Sequence, residues 1–422
     1  MTGYWIINIF ILSTLSLFVY KKTAMPETRR WLIPGLLVKL IAGITVGYLY
    51  FNYYRNGDTI RFHQVASGLY HQGMENPGAY ISFLFSGNAQ SSEAIQLGLA
   101  GEPRTLFFIK IISLFDFMTG GNYWINSLYF SFISFAGAWM LIARTAALWP
   151  QVFYPVLVSF IFFPSIVFWS SGMLKESLAF ACFGFIASVF LGYYDRRRIS
   201  FPQLALLLFS GWIYWEIKYN AMIIMVISMI TILAAGRFHS KLMGWKSFSL
   251  TTGIFLLLSV LGSFIHPNFH LDRVLGVLQE NHQFMIRISD SRNLIPFMPD
   301  QQPVSGFLLN LPISLFGGLF MPLPFQGKSL IALIPGFLNL IVLLLTLAMF
   351  FRKIKFPEGR DRILVHGIIL YIITLTVMLA YSSPNFGTLE RYKISYLPLF
   401  LSVVLSVNRF RMFRAGKLSG SK

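Results

Sequence analysis

The sequence predicts an all-α, polytopic integral membrane protein, and three observations carry that prediction. Of the 422 residues, 55% are hydrophobic and only 12% charged, roughly half the charged share of a soluble domain. Mean hydropathy is +0.64, and apolar runs of about 17–25 residues, enough to cross a bilayer, recur from end to end. Basic residues cluster in the short loops between alternate runs, as the positive-inside rule requires.

These observations exclude several function classes. A formal charge of +18 would suit a nucleic acid, but its spread over short loops makes the cytoplasmic leaflet the partner instead. No nucleic-acid partner is expected. The lone Cys182 sits inside an apolar run, so no disulfide forms within the chain and thiolate–metal chemistry is disfavoured. The first apolar run is followed, not preceded, by basic residues and has no small-residue cleavage site, unlike a signal peptide.

In chain order, residues 4–20 form a first span ended by Lys21 and Lys22, which with Arg29 and Arg30 mark a cytoplasmic turn. Residues 31–54 return outward and emerge at Asp58. Lys39 lies within this second span, close enough to its cytoplasmic end to snorkel. A short amphipathic helix is expected next, with Phe62, Val65, Ala66 and Leu69 on one face. Residues 106–118 carry Lys110 and Asp116 and are read as a helix lying at the interface. Spans follow at 123–143, 149–169, 177–194, 202–215, 221–235 and 248–265. A polar outer loop from His266 to Ser305 comes next. Residues 307–325 are apolar but broken by Pro312, Gly317, Gly318, Pro322 and Pro324. They are expected to re-enter or lie at the interface, because a crossing there would put Arg352, Lys353 and Lys355 outside. Spans at 329–351, 363–381 and 394–407 complete about eleven, with the N-terminus outside and the basic tail inside. Only Glu27, Asp195, Glu358 and Asp361 among the acids fall on the cytoplasmic side of this scheme. Mixed charge therefore gathers outside, where polar chemistry is expected. The chain reads as one membrane domain, 1–422, with interfacial or re-entrant helices in the outer loops 55–122 and 266–328.

Four outer clusters are candidates for that chemistry. The first is Arg55-Asn56-Gly57-Asp58-Thr59-Ile60-Arg61-Phe62-His63. A carboxylate at the membrane edge can take a proton from a hydroxyl or hold a divalent cation; equally, Asp58 can cap the helix that begins at Thr59. His63, on another face, is either an interfacial residue or a group supporting the site at one remove. The second runs from Pro164 through Trp169-Ser170-Ser171-Gly172 to Lys175-Glu176. Glu176 suits a first helical turn, whereas Lys175 is disfavoured by the helix dipole there, and binding a phosphate would explain it. The third is Glu216-Ile217-Lys218-Tyr219, read either as a cavity-lining turn or as a local salt bridge. The fourth is Glu390-Arg391-Tyr392-Lys393. Its arginine fork matches phosphate oxygens; the plain alternative is a flank anchoring the last span. No P-loop, dinucleotide fingerprint, HExxH or serine elbow is present, so ATP and nucleotide sugars are not expected as direct substrates.

Gly57-Asp58-Thr59, the Pro164-Ser165…Phe168-Trp169-Ser170…Lys175-Glu176 block and Arg391-Tyr392 followed by Pro398 together resemble bacterial GT-C superfamily glycosyltransferases. The polyprenyl-phosphate-sugar-dependent, protein-mannosyltransferase-like proteins are the nearest in kind. The resemblance covers most of the membrane core with loose motifs. It implies a GT-C-like bundle and a polyprenyl-phosphate sugar donor with its head group outside. Membrane lipids would surround its tail, and a glycan, lipid or protein would be the acceptor. It implies Asp58 as catalytic base or metal ligand, with a divalent cation as the one conceivable cofactor. Lys175, Lys218 and Arg391 would bind the donor phosphate. The chain departs from the pattern in an extra span before the acid, in a single Asp where the family has an acidic pair, and in lacking a soluble C-terminal domain. An O-antigen-type polymerase or ligase, using polyprenyl-diphosphate glycans and Arg273, Arg287 and Arg292, is the rival transferase. A lipid or glycan transporter and a non-catalytic scaffold are the rivals of other classes.

Overall fold

The computed structural model describes residues 2–23, 26–88, 90, 92–238, 244–299, 302–326, 330–352 and 357–408. Lys353, Lys355 and the tail from Arg409 to Lys422, used in the topology prediction, lie outside the described residues. Among the described residues the only β feature is an isolated bridge between Leu294 and Asn385, so the all-α class is as predicted.

The helices follow the apolar runs with three exceptions. The first seven are α1 (Thr2–Thr23), α2 (Pro26–Leu49), α3 (Asp58–Glu75), α4 (Pro77–Ser86), α5 (Ser92–Gln96), α6 (Pro103–Thr119) and α7 (Tyr123–Leu148). The expected span 149–169 is the first exception. It is divided into a 3-10 turn (Pro150–Val152), α8 (Phe153–Leu157), a π turn (Val158–Phe162) and α9 (Pro164–Trp169). Pro150, Pro155 and Pro164 each remove a backbone donor that a continuous helix needs. After α10 (Lys175–Tyr194), the spans predicted at 202–215 and 221–235 are joined in α11 (Phe201–Gly236). A straight helix of 36 residues would measure about 54 Å, but Lys218 interrupts this one with non-helical φ −144° and ψ 61°. Beyond it come α12 (Trp245–Gly262), α13 (Val274–Ile288), α14 (Pro303–Leu309), α15 (Leu311–Phe320), α16 (Leu330–Phe350), α17 (Gly359–Ser382), α18 (Phe386–Tyr392) and α19 (Leu397–Val407). The last is the third exception, since its 11 residues fall short of a full crossing. Eight helices among the described residues are long and apolar enough to span, or nine if the bent pair α14–α15 is one span. Among the described residues this is fewer than the eleven spans expected from hydropathy.

The chain divides into two compact units, Met1–Arg144 with Ile166–Met222, and Thr145–Ser165 with Ile223–Lys422. In the first, α3 lies along α6. Its buried face is Thr59, Phe62, Ala66, Leu69 and Gly73, while Val65, expected on that face, is half-buried. Phe62 packs edge-on against Phe108, with centroids 5.4 Å apart. α7 and α10 meet through small residues: a Cβ on Gly137 would lie 2.3 Å from the Ala181 carbonyl, and one on Gly184 2.3 Å from that of Gly137. Lys39 does not snorkel. It is 0% exposed, with its Nζ bonded to Ser134 Oγ at 3.0 Å and the Ser170 carbonyl at 2.9 Å.

In the second unit, α17 packs against α12, α13 and α15. The break between α14 and α15, bent by 55°, matches the interrupted run expected there. The stretch that joins α17 to α19 holds Ile295, ahead of this segment, and Met321, at its C-terminal end. Ile295 N donates to the Pro384 carbonyl at 3.0 Å, and Lys393 Nζ donates to the Met321 carbonyl at 2.6 Å.

Candidate functional site

Asp58 stands where the second span ends. α2 runs on into a π turn at Tyr50–Tyr54, and the chain then reverses through Arg55, whose φ is 53°. Gly57 has φ 129°. A Cβ there would lie 2.6 Å from the Tyr50 ring, so only glycine makes this corner without a shift. Gly57, not Asp58, occupies the N-cap position of α3. Asp58 is the first helical residue, where the dipole favours its charge. The capping alternative for Asp58 is therefore replaced by a first-turn position, half-exposed.

The next residue ties this helix start to the second cluster. Thr59 Oγ1 donates to the Met173 carbonyl at 2.9 Å and so accepts from the Tyr123 hydroxyl at 3.0 Å. Phe62, one turn on, lies under the Lys175 ammonium, 5.0 Å from Nζ to the ring centroid. Lys175 Nζ also donates to Thr105 Oγ1, 2.9 Å away, in the first turn of α6. His63 sits edge-on to Tyr123 at 5.5 Å. Burial holds its imidazole below the usual value, so it is neutral at pH 7, and its Nδ1 is buried without a hydrogen bond.

The second and third clusters also meet. Glu176, only 2% exposed, pairs with Lys218, with Nζ and Oε1 3.6 Å apart. Lys218 is the residue at which α11 breaks, so the break turns the ammonium toward α10. Glu216 is half-exposed and does not pair with Lys218; the local salt bridge expected there is replaced by a long-range one. Beside it, Arg104 lies over the Tyr219 ring at 4.5 Å. Arg61 pairs with Glu102 at 2.9 Å. Arg104, Thr105 and Glu102 carry no motif, and only their place at the start of α6, alongside α3, marks them.

The fourth cluster belongs to the second unit. Arg391 and Tyr392 end α18 and are half-exposed. Their neighbours are not an interfacial flank. Glu390 and Lys393 are buried, joined at 2.6 Å, and share Asn339, which donates to Glu390 Oε1 at 2.8 Å and accepts from Lys393 Nζ at 3.0 Å. The pair is a structural node between α16, α18 and the end of the broken segment. Sequence gave no sign of it, because Asn339 is an isolated polar residue in an apolar run. Asp116 was likewise read only as part of an interfacial helix. It is 0% exposed, and its Oδ1 accepts from Asn126 Nδ2 at 2.6 Å.

The structure thus brings Asp58, His63, Lys175, Glu176 and Lys218 into linked positions within one unit, and it places Arg391 and Tyr392 in the other. No group of three or more His, Cys, Asp or Glu side chains that could hold a metal ion occurs among the described residues. No family model, curated protein or solved structure matches the chain. The membrane character rests on the apolar helices alone.

Proposed function

We propose that the protein is a membrane glycosyltransferase that moves a sugar from a polyprenyl-phosphate donor to a glycan, lipid or protein acceptor. It works in the bacterial cytoplasmic membrane, with its site on the periplasmic side. The observation that supports this reading is the meeting of clusters from distant stretches of sequence: Asp58 at the start of α3, Lys175 at the start of α10 and Arg104 at the start of α6, linked through Phe62, Thr105 and Thr59. A base and two cations at one membrane edge are what such a transfer needs. The Asp58 carboxylate takes the proton of the acceptor hydroxyl. That oxygen bonds to the anomeric carbon as the bond from carbon to phosphate oxygen breaks, and the polyprenyl phosphate leaves with the electron pair. Lys175 and Arg104 stabilise the charge that grows on the phosphate. Lys218, held by Glu176, keeps the α11 break in register with α10. Arg391 is a further phosphate-binding candidate in the second unit.

Purified protein offered polyprenyl-phosphate sugars and polyprenyl-diphosphate glycans side by side tests this. Transfer from the monophosphate donor is expected; use of the diphosphate donor alone would make the protein a polymerase or ligase instead. Asp58→Asn should insert normally and lose transfer by about 10²–10⁴-fold. Turnover like that of the wild type in this variant would remove Asp58 from the mechanism.

A further inference from the structure

Lys39 lies in the middle of the candidate span Glu27–Tyr54. Its ammonium has three donors, and each has an acceptor: Ser134 Oγ, the Ser170 carbonyl and Ser170 Oγ. The Phe180 ring lies 4.6 Å away. No carboxylate is among these partners. A cation in this place is costly, and a methionine would insert more readily, so the ammonium must do something a methyl group cannot.

What it touches is the turn from Ser170 to Leu174, where α9 has ended and α10 has not begun. Irregular backbone within a bundle needs partners from the protein itself. Beyond the bonds it makes to α9 and α10, the turn is reached from three further helices, α2, α3 and α7. The Ser170 carbonyl is held by Lys39 from α2 and by Ser134 from α7. Gly172 N donates to Ser131 Oγ of α7 at 2.8 Å. The Met173 carbonyl is held by Thr59 of α3. Gly172 has φ 75°, and a Cβ there would come 3.2 Å from the Gly43 carbonyl. Gly43 is one helical turn beyond Lys39, so α2 meets the turn twice along one face.

We propose that Lys39 is a positioning residue: it pins the 170–174 turn against α2 and α7 and so sets where Lys175 and Glu176 stand. That Lys175 then serves a lipid-linked phosphate rests on the transferase reading above.

The test uses the full chain in detergent, with amide exchange read by mass spectrometry and binding of a short-chain polyprenyl-phosphate sugar read in parallel. In Lys39→Met, exchange should rise by about tenfold or more at residues 170–174, the cost of losing hydrogen bonds to a charged group. Exchange in α3 beyond its first turn should stay unchanged, and donor affinity should fall by a similar factor. Lys39→Arg should recover part of both. Ser134→Ala, which removes one partner of the ammonium and of the Ser170 carbonyl but keeps the cation, should loosen the same amides to a smaller degree, and it carries the test if Lys39→Met does not fold. Unchanged exchange in the turn, or loosening spread evenly over the unit, would overturn the proposal. Wild-type protein that binds no donor while the exchange pattern holds would overturn the transferase reading and leave the pinning of the turn established.

Discussion

Asp116 shows how far burial alone can move a group. Its carboxyl is raised from 3.8 to about 6, first by burial, against the opposing hydrogen bond from Asn126 and the charge of His71. A carboxyl raised in the folded state favours the fold while it holds its proton, and it penalises the fold once ionised. Its contribution is therefore full below about pH 4 and is lost as pH rises through about 6. The wild type should lose more melting temperature than Asp116→Asn between pH 4.5 and 7.5, with the two closest at the acid end; parallel curves would contradict the burial account. Residues of this kind were the least legible in the sequence. Lys39 was expected to snorkel because only its distance from the end of its own helix could be read. Its serine partners lie 95 and 131 residues away in sequence. Glu390 and Lys393 looked like a flank for the same reason, since Asn339 is invisible as a partner until α16 packs beside them. Asp58 was legible in place but not in role at its helix start, because the capping position fell to a glycine that the Tyr50 ring demands.

Helices were read well where one periodic face met one neighbour, and poorly where backbone chemistry cut across the hydropathy. Phe62, Ala66 and Leu69 announced the buried face of α3. Hydropathy alone could not divide 149–169, whose prolines leave apolar character intact while ending each helical piece. Nor could it join 202–235, where Glu216 and Lys218 looked like a loop but only Lys218 leaves helical geometry. The close contact of α7 and α10 supplies a test of packing. Gly137→Leu must push the backbone of Ala181 away, so it should abolish the folded protein or lower its melting temperature sharply. Gly253→Ala, where nothing lies within 4 Å of an added Cβ, should leave it nearly unchanged or slightly raised, since alanine favours a helix. Comparable behaviour of the two in a thermal melt monitored by fluorescence would show that α7 and α10 do not meet as described.

The membrane class was legible from composition alone, because a bilayer leaves an α-helical chain few other ways to hide its backbone. Whether the broken segment α14–α15 crosses was not, since hydropathy is blind to direction. The charge rule expects it to enter and leave on one side. Cysteines placed at the exposed Met298 and Phe325 should both react with an impermeant maleimide from the same face of intact vesicles, with buried Cys182 silent. Labelling from opposite faces would make the segment a true crossing. The corner at Gly57 has a consequence of another kind. Because that corner is jammed against Tyr50, the carboxylate beyond it is mounted on the rod that threads the lipid. A bilayer thicker or thinner than this rod makes it tilt or the lipid deform, raising or sinking Asp58 against the headgroups. If the protein is the proposed transferase, its turnover in vesicles of single-chain-length phosphatidylcholines should therefore peak at one acyl length and fall on either side, making it a gauge of the membrane that holds it.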